Sequence, residues 1–211
     1  MYKLFYAPGA CSMAVHIALY ECGAPCELAN VPLRKEGKEK DPEFLKINPR
    51  GAVPVLVDGN LVIREGAAIL IYLLEKEKSA LLPQSGEGRA HALEWLMWNN
   101  ATLHPAYSRV FWLKRSMQDS EQKEALMHLA IDRLNLLWDD AESRLASSKF
   151  LAGDILTIGD ILMTVIANWN AWLPEPIAFG PNVKRVLKHV STRPAYQKAL
   201  QAEGVEYKAA A

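Results

Sequence analysis

Strand-like segments end by residue 63 of this 211-residue chain, and everything beyond residue 89 carries helical spacing. The pattern therefore predicts two domains of different construction, about 80 and 120 residues long, a size that lets each bury its own core. Residues 2–6 (YKLFY) read as a strand, and 12–22 as a helix with Ala14, Val15, Ala18, Leu19 and Cys22 on one apolar face and Gly23 as its stop. A second strand is predicted over 27–31 and a short helix over 42–47. Two β-rich runs, 53–57 and 61–63, are joined by Asp58, Gly59 and Asn60; Asp-Gly between apolar runs signals a hairpin, so these strands should be antiparallel neighbours. A helix over 66–76 turns Ala67, Ile69, Leu70 and Leu73 inward. The order βαβ, loop helix, ββα gives a small mixed sheet with helices on its faces.

Residues 81–89 (LLPQSGEGR) gather Pro, Gly and polar side chains and are read as the linker between a first domain, 1–80, and a helical domain, 90–211. Helices are predicted within 90–116, 120–147, 158–172 and 182–201. Thr157 and Asp160 have the spacing of a capping box, which is assigned to folding rather than chemistry.

Composition narrows the possible partners. Lys plus Arg equal Asp plus Glu at 24 each, so no net field favours nucleic acid or an acidic membrane surface. The most basic stretch, 34–40, is interleaved with Glu36 and Glu39 and reads as a solvated loop. Three cysteines, Cys11, Cys22 and Cys26, are too few and odd in number for a closed disulfide framework, which points to a reducing cytoplasm. Pro8 and Gly9 interrupt the one early apolar run, so no signal peptide is expected, and no stretch has the length and apolarity of a bilayer span. Cys22 and Cys26 lack two further ligands for a structural zinc, so no metal is expected. The third residue after Cys11 is Ala14, which leaves no Cys-x-x-Cys redox pair; hydrolase elbows and Gly-rich phosphate loops are also absent.

Cys11 is placed where the first helix begins. Unpaired N–H groups and the helix dipole favour an anion there, so a thiol at this position can titrate below its free value of ~8.5. The same residue also suits a small buried cysteine packing one helix end.

An ordered set of features then resembles the glutathione transferases over essentially the whole chain: Pro8-Gly9 after the first strand, Cys11-Ser12 at a helix start, Asn48-Pro49-Arg50-Gly51 leading to Val53-Pro54, Glu65-Gly66 opening a helix, and Thr157-Ile158-Gly159-Asp160. Among the classes it is most similar to the bacterial beta class, which carries a cysteine at this position. The resemblance implies a thioredoxin-like α/β N-terminal domain followed by an all-α C-terminal domain. It also implies a homodimer with its glutathione site in the first domain near the dimer cleft; glutathione would be a co-substrate and no cofactor would be tightly bound.

The same resemblance assigns roles. Pro54 matches a cis-proline that presents Val53 to the cysteinyl unit of glutathione, where base rates alone would favour trans. Gly66 would offer its helix-start N–H to the γ-glutamyl carboxylate while Glu65 meets the ammonium; the plainer reading of Glu65 is a dipole-favoured carboxylate. Lys35 is the candidate for the terminal glycine carboxylate. Pro105 and Met97 stand where lysine and asparagine are common, and Asn99 and Asn100 are the candidate substitutes there. Cys11, Ser12 and His104 are the candidate thiolate stabilisers, with Tyr6 behind them, and Tyr107, Phe111, Trp112 and Trp169 the candidate walls of an electrophile pocket between domains. The expected activity is conjugation of the glutathione thiol to small hydrophobic electrophiles, in the cytoplasm, without nucleic acid or membrane as partner. Two rivals stand beside it: a glutathione-dependent thiol transferase or peroxidase working through a mixed disulfide on Cys11, and a non-catalytic binding protein of the same fold.

Overall fold

The computed structural model describes residues 1–32 and 41–209. It divides into two compact units, 1–84 with 191–207, and 85–190 with the chain end from 208. The chain thus crosses between the units at 84–85, 190–191 and 207–208, so that residues 191–207 belong with the first unit and not with the helical one.

In the first unit, β1 (Tyr2–Tyr6), α1 (Ser12–Glu21), β2 (Cys26–Asn30), α2 (Pro42–Ile47), β3 (Val55–Asp58), β4 (Leu61–Arg64) and α3 (Gly66–Lys76) follow the predicted order within a residue or two. The sheet runs β2-β1-β3-β4, with β1 parallel to β2 and antiparallel to β3. Leu4 stands opposite Leu28 on one side and Leu56 on the other. The β3–β4 hairpin turns at Gly59, which takes φ +58°. Tyr72 Oη donates to Asp58 Oδ2 at 2.7 Å, and Lys76 pairs with the same carboxylate, tying the hairpin to α3. On one side of the sheet Phe5, Val31, Phe44 and Val55 form an apolar cluster with Ile47, Val57 and Val62 packed against it.

The single apolar face predicted for α1 is a correction: it is buried on every side from Ser12 to Leu19, His16 included, because both α3 and α9 (Pro194–Glu203) pack on it. The helical spacing predicted over 182–201 does not form a single helix. Instead α8 (Pro181–Ser191) stops and α9 begins at Pro194, whose ring and missing N–H cannot continue a preceding helix.

In the second unit the helical stretch predicted over 90–116 carries a π-helical turn. This turn, Asn99–Leu103, joins α4 (Gly86–Trp98) to α5 (His104–Ser116), and Pro105, which has no N–H to donate to the preceding turn, stands just beyond it. Next come α6 (Glu121–Ala146), α7 (Ile158–Ala167) and a 3-10 turn, Asn168–Trp172. The capping box at Thr157 is in place. Asp160 Oδ2 accepts the Thr157 N–H at 2.9 Å, and Oδ1 accepts the Leu151 N–H at 2.9 Å. Gly159 lets α7 approach α4: a Cβ there would stand 3.2 Å from Trp95 Cβ.

Candidate active site

The turn between β1 and α1 is held from two directions. Ser12 Oγ accepts the Ala7 N–H at 3.1 Å and donates to the Ala7 carbonyl at 3.2 Å. Gly9, at φ +69°, donates its N–H to Glu203 Oε2 at 2.9 Å, and the other Glu203 oxygen lies 2.9 Å from His16 Nδ1, with both side chains buried. Ser12 is therefore corrected from a candidate thiolate stabiliser to a turn-forming residue: its side chain is fully buried and its hydroxyl engaged twice with Ala7. Tyr6 is likewise buried, its ring 5.8 Å from that of His16, and burial raises its hydroxyl pKa above the ordinary value.

Cys11 occupies the N-cap of α1, and its Sγ lies 4.0 Å from the Val53 carbonyl. The depressed pKa expected from a helix start is a second correction. Burial pushes the thiol up to about 11; the N–H groups of Cys11 and Ser12 oppose this, and the nearby Glu65 carboxylate adds to it. Desolvation outweighs the helix start, which leaves Cys11 a neutral thiol, able to donate a hydrogen bond, at neutral pH.

Next to the cysteine, buried Asn48 shapes the loop into β3. Its Nδ2 donates to the Ala52 carbonyl at 2.7 Å, its Oδ1 accepts the Arg50 N–H at 3.3 Å, and its own carbonyl accepts the Gly51 N–H at 2.8 Å. The Val53–Pro54 peptide bond is cis. Pro54 lies under the start of α3, where a Cβ on Gly66 would meet Pro54 Cγ at 3.6 Å. Glu65 precedes that helix at φ +73°, ψ +118°, a backbone conformation unfavourable for a residue with a Cβ, and no side chain caps the helix. Its carboxylate is 68% exposed and pairs with Arg50 Nη1 at 2.7 Å. Cys11, Val53, Pro54, Glu65 and Gly66 are thus brought together within one unit. Lys35 lies outside the described residues.

The candidates from the second unit fare differently. Asn99 is fully buried and donates through Nδ2 to the carbonyls of Trp95 at 2.7 Å and Gly159 at 3.1 Å. Its amide joins α4 to α7, so its assignment as a glutathione contact is corrected. Tyr107 is fully buried and accepts the Trp138 Nε1–H at 3.0 Å, and Trp169 is buried beside it; both are core residues rather than exposed walls. Trp112 is 55% exposed. Half-buried Phe111 and His104 retain accessible surface, each packed on Trp169, with the imidazole 5.0 Å from the indole. Burial lowers the His104 pKa, which favours the neutral ring.

Sequence reasoning missed Glu203, His16 and Arg50. The first two are separated by 187 residues and carry no shared local pattern; Arg50 stood in the quoted Asn-Pro-Arg-Gly turn, but the cation next to Glu65 in the chain is Arg64, so the pairing shows only in the fold. Among the described residues no group of His, Cys, Asp and Glu is arranged to hold a metal ion, and no helix is long and apolar enough to cross a membrane.

Residues 9–76 match the glutathione S-transferase N-terminal domain and 103–194 the C-terminal domain. Glutathione S-transferase GST-4.5 of Xanthomonas campestris pv. campestris is 30% identical over 205 residues, covering 96% of this chain and 99% of that protein. A sphingomonad glutathione S-transferase solved in complex with glutathione is 30% identical, superimposes with a TM-score of 0.81, and is covered in full by 97% of this chain. The bacterial beta class enzyme of Sphingomonas chungbukensis is 28% identical with a TM-score of 0.80, again over 97% of this chain and all of that one. The four-stranded mixed sheet with its helices, followed by a helical domain, is the fold they share, and the chain belongs to the glutathione S-transferase family.

Proposed function

We propose that this glutathione S-transferase binds glutathione along the edge made by Val53, Pro54, Glu65 and Gly66 and conjugates it through its sulfur to small hydrophobic electrophiles. The observation that carries the reading is the grouping in one unit of a free, half-buried thiol at a helix start, 4.0 Å from the Val53 carbonyl, with an exposed carboxylate before a second, uncapped helix start. Glutathione offers the complementary groups: a sulfur between an amide chain and a zwitterionic γ-glutamyl end. Its thiolate attacks the electrophilic carbon, the new C–S bond forms, and the leaving group departs with its electron pair. The Cys11 S–H, held neutral by burial, serves as a hydrogen-bond donor to that thiolate, alongside the N–H groups of the α1 start. His104 is assigned the same task on family resemblance, and Lys35 the glycine carboxylate. Phe111 is assigned to the electrophile pocket.

A neutral Cys11 also argues against the mixed-disulfide alternative, whose nucleophile would be its thiolate. The enzyme is proposed to act as a cytoplasmic homodimer in detoxification. The exposed small residues Ala68 and Ala90 leave room for close helix approach at a dimer contact. Calorimetry with glutathione, conjugation of a model aryl halide and light scattering test these points together: binding, turnover and a dimer mass are expected. Disulfide reductase activity exceeding conjugation, or binding without turnover, would replace the reading with one of its rivals.

A further inference from the structure

Arg50 is absent from the residues so far assigned to the ligand, yet it is the side chain in contact with the carboxylate of Glu65. Its guanidinium is 68% exposed and uses one nitrogen, Nη1, in that contact, so further N–H donors of the fork face outward. The backbone that presents it is fixed rather than loose. Buried Asn48 accepts the Arg50 N–H, holds Ala52 through its amide, and accepts the Gly51 N–H. At the helix itself Gly66 can offer a backbone N–H but has no side-chain donor.

We propose that Arg50 and Glu65 act together as a reader of an α-amino acid zwitterion, with Arg50 taking the α-carboxylate of the γ-glutamyl unit and Glu65 its ammonium. This rests on the glutathione reading above and sets its specificity. A carboxylate beside a guanidinium presents the two charges in the order that an α-amino and α-carboxylate pair can meet head to tail, forming a ring of four alternating charges. Planar guanidinium geometry suits two-oxygen recognition of a carboxylate, which an ammonium cannot reproduce. The Arg50–Glu65 pair thus orders both groups before the ligand arrives.

Three ligands separate the roles by calorimetry on the full chain: glutathione, glutaryl-Cys-Gly, which lacks the ammonium, and 4-aminobutyryl-Cys-Gly, which lacks the α-carboxylate. Arg50→Ala is expected to bind glutathione and glutaryl-Cys-Gly about tenfold more weakly, the range of one charge-assisted contact at a solvent-exposed site, while binding 4-aminobutyryl-Cys-Gly no more weakly than the parent does. Arg50→Lys should recover only part of the loss. Glu65→Gln should show the reverse pattern, weakening the two ligands that keep the ammonium. Equal or tighter binding of glutathione by Arg50→Ala would make Arg50 a competitor for Glu65 and overturn the proposal. An equal loss with all three ligands would reduce Arg50 to a structural support of Glu65 and overturn it too. Failure of the unmodified enzyme to bind glutathione at all would instead remove the reading beneath it.

Discussion

The starts of α3 and α7 both place an acidic side chain among unpaired helical N–H groups, yet one is closed on itself and the other is open. At α7, Asp160 reaches back to the Thr157 N–H and across to the Leu151 N–H and is fully buried. At α3, Glu65 caps nothing, is exposed, and sits in a strained backbone conformation with an arginine for company. The same electrostatics operates at both ends. What differs is whether the protein itself satisfies the donors. A closed start stabilises the fold, and an open one is where the proposed ligand would find its donors. The start of α1 adds a qualification: a helix N-terminus does not produce a thiolate when burial outweighs it.

The largest expected effect comes from opening the closed start. Asp160→Ala leaves buried N–H donors of Leu151 and Thr157 without an acceptor, and a loss of roughly 2–4 kcal/mol is expected in urea unfolding. Asp160→Asn, which keeps one oxygen acceptor, should cost less. The pH dependence has a definite sign. Burial pushes this carboxyl from 3.8 up to about 6, against the hydrogen bonds that lower it, so between those values the folded state binds more protons than the unfolded one. Its contribution is fully present below the unfolded value and is lost as pH rises through the folded one. Asp160→Asn should remove that downward slope from the stability curve between about pH 4 and 6.

Removing the carboxylate at the open start should act on the ligand instead. Glu65→Ala is expected to weaken glutathione binding by about 10- to 100-fold, the range of a lost charge-assisted contact, with little change in unfolding midpoint. A large stability loss with unchanged affinity would erase the distinction between the two starts.

How far each start could be read in advance follows from the range of the forces. Strand and hairpin positions were legible because Asp58-Gly59 and alternating apolar residues act over a few bonds, and so was the Thr157–Asp160 box. At Cys11 the sequence left two readings open, a helix-start thiolate and a buried cysteine, and could not decide between them, since the helix start is local while the burial and the Glu65 charge come from elsewhere in the fold. Ser12 was misassigned for the same reason, its partner Ala7 becoming evident only once the turn was folded. Asn99, Tyr107 and Trp169 matched expected positions in sequence but face the interior, a distinction that helical spacing alone does not make between core and pocket. The return of α9 to the first unit, with Glu203 on the Gly9 N–H, depends on a contact 194 residues apart.

A third, smaller effect concerns Cys11. A thiol raised from 9.0 to about 11 carries far less thiolate at pH 7.5 than an ordinary cysteine. Greater intrinsic nucleophilicity recovers part of the deficit, so iodoacetamide should alkylate it roughly tenfold more slowly than an unperturbed thiol, with the rate still rising above pH 10. Peptide mapping of the alkylated chain reads this directly. Selective modification of Cys11 at neutral pH would restore the low-pKa cysteine and the disulfide chemistry that goes with it.

The smallest effect is the most specific to the open start, because it measures the backbone and not the charge. Glu65→Ala and Glu65→Gly both remove the carboxylate, but only glycine is at ease at φ +73°. In an ordinary helical position glycine is the less stable of the two by about 0.5–1 kcal/mol. Here the order should reverse, with Glu65→Gly more stable than Glu65→Ala by about 1 kcal/mol. Glycine is also the better N-cap residue, so the comparison needs a cap without strain. Ser85 supplies it: it precedes α4 at φ −160°, extended backbone that any residue adopts, and like Glu65 makes no side-chain cap. The glycine–alanine difference at position 65 minus that at 85 isolates the strain, and a difference near zero would mean that Glu65 is held there without cost. A clear positive value would show that the fold gives up stability to hold an exposed carboxylate before an uncapped helix, a cost for which the α7 start has no counterpart.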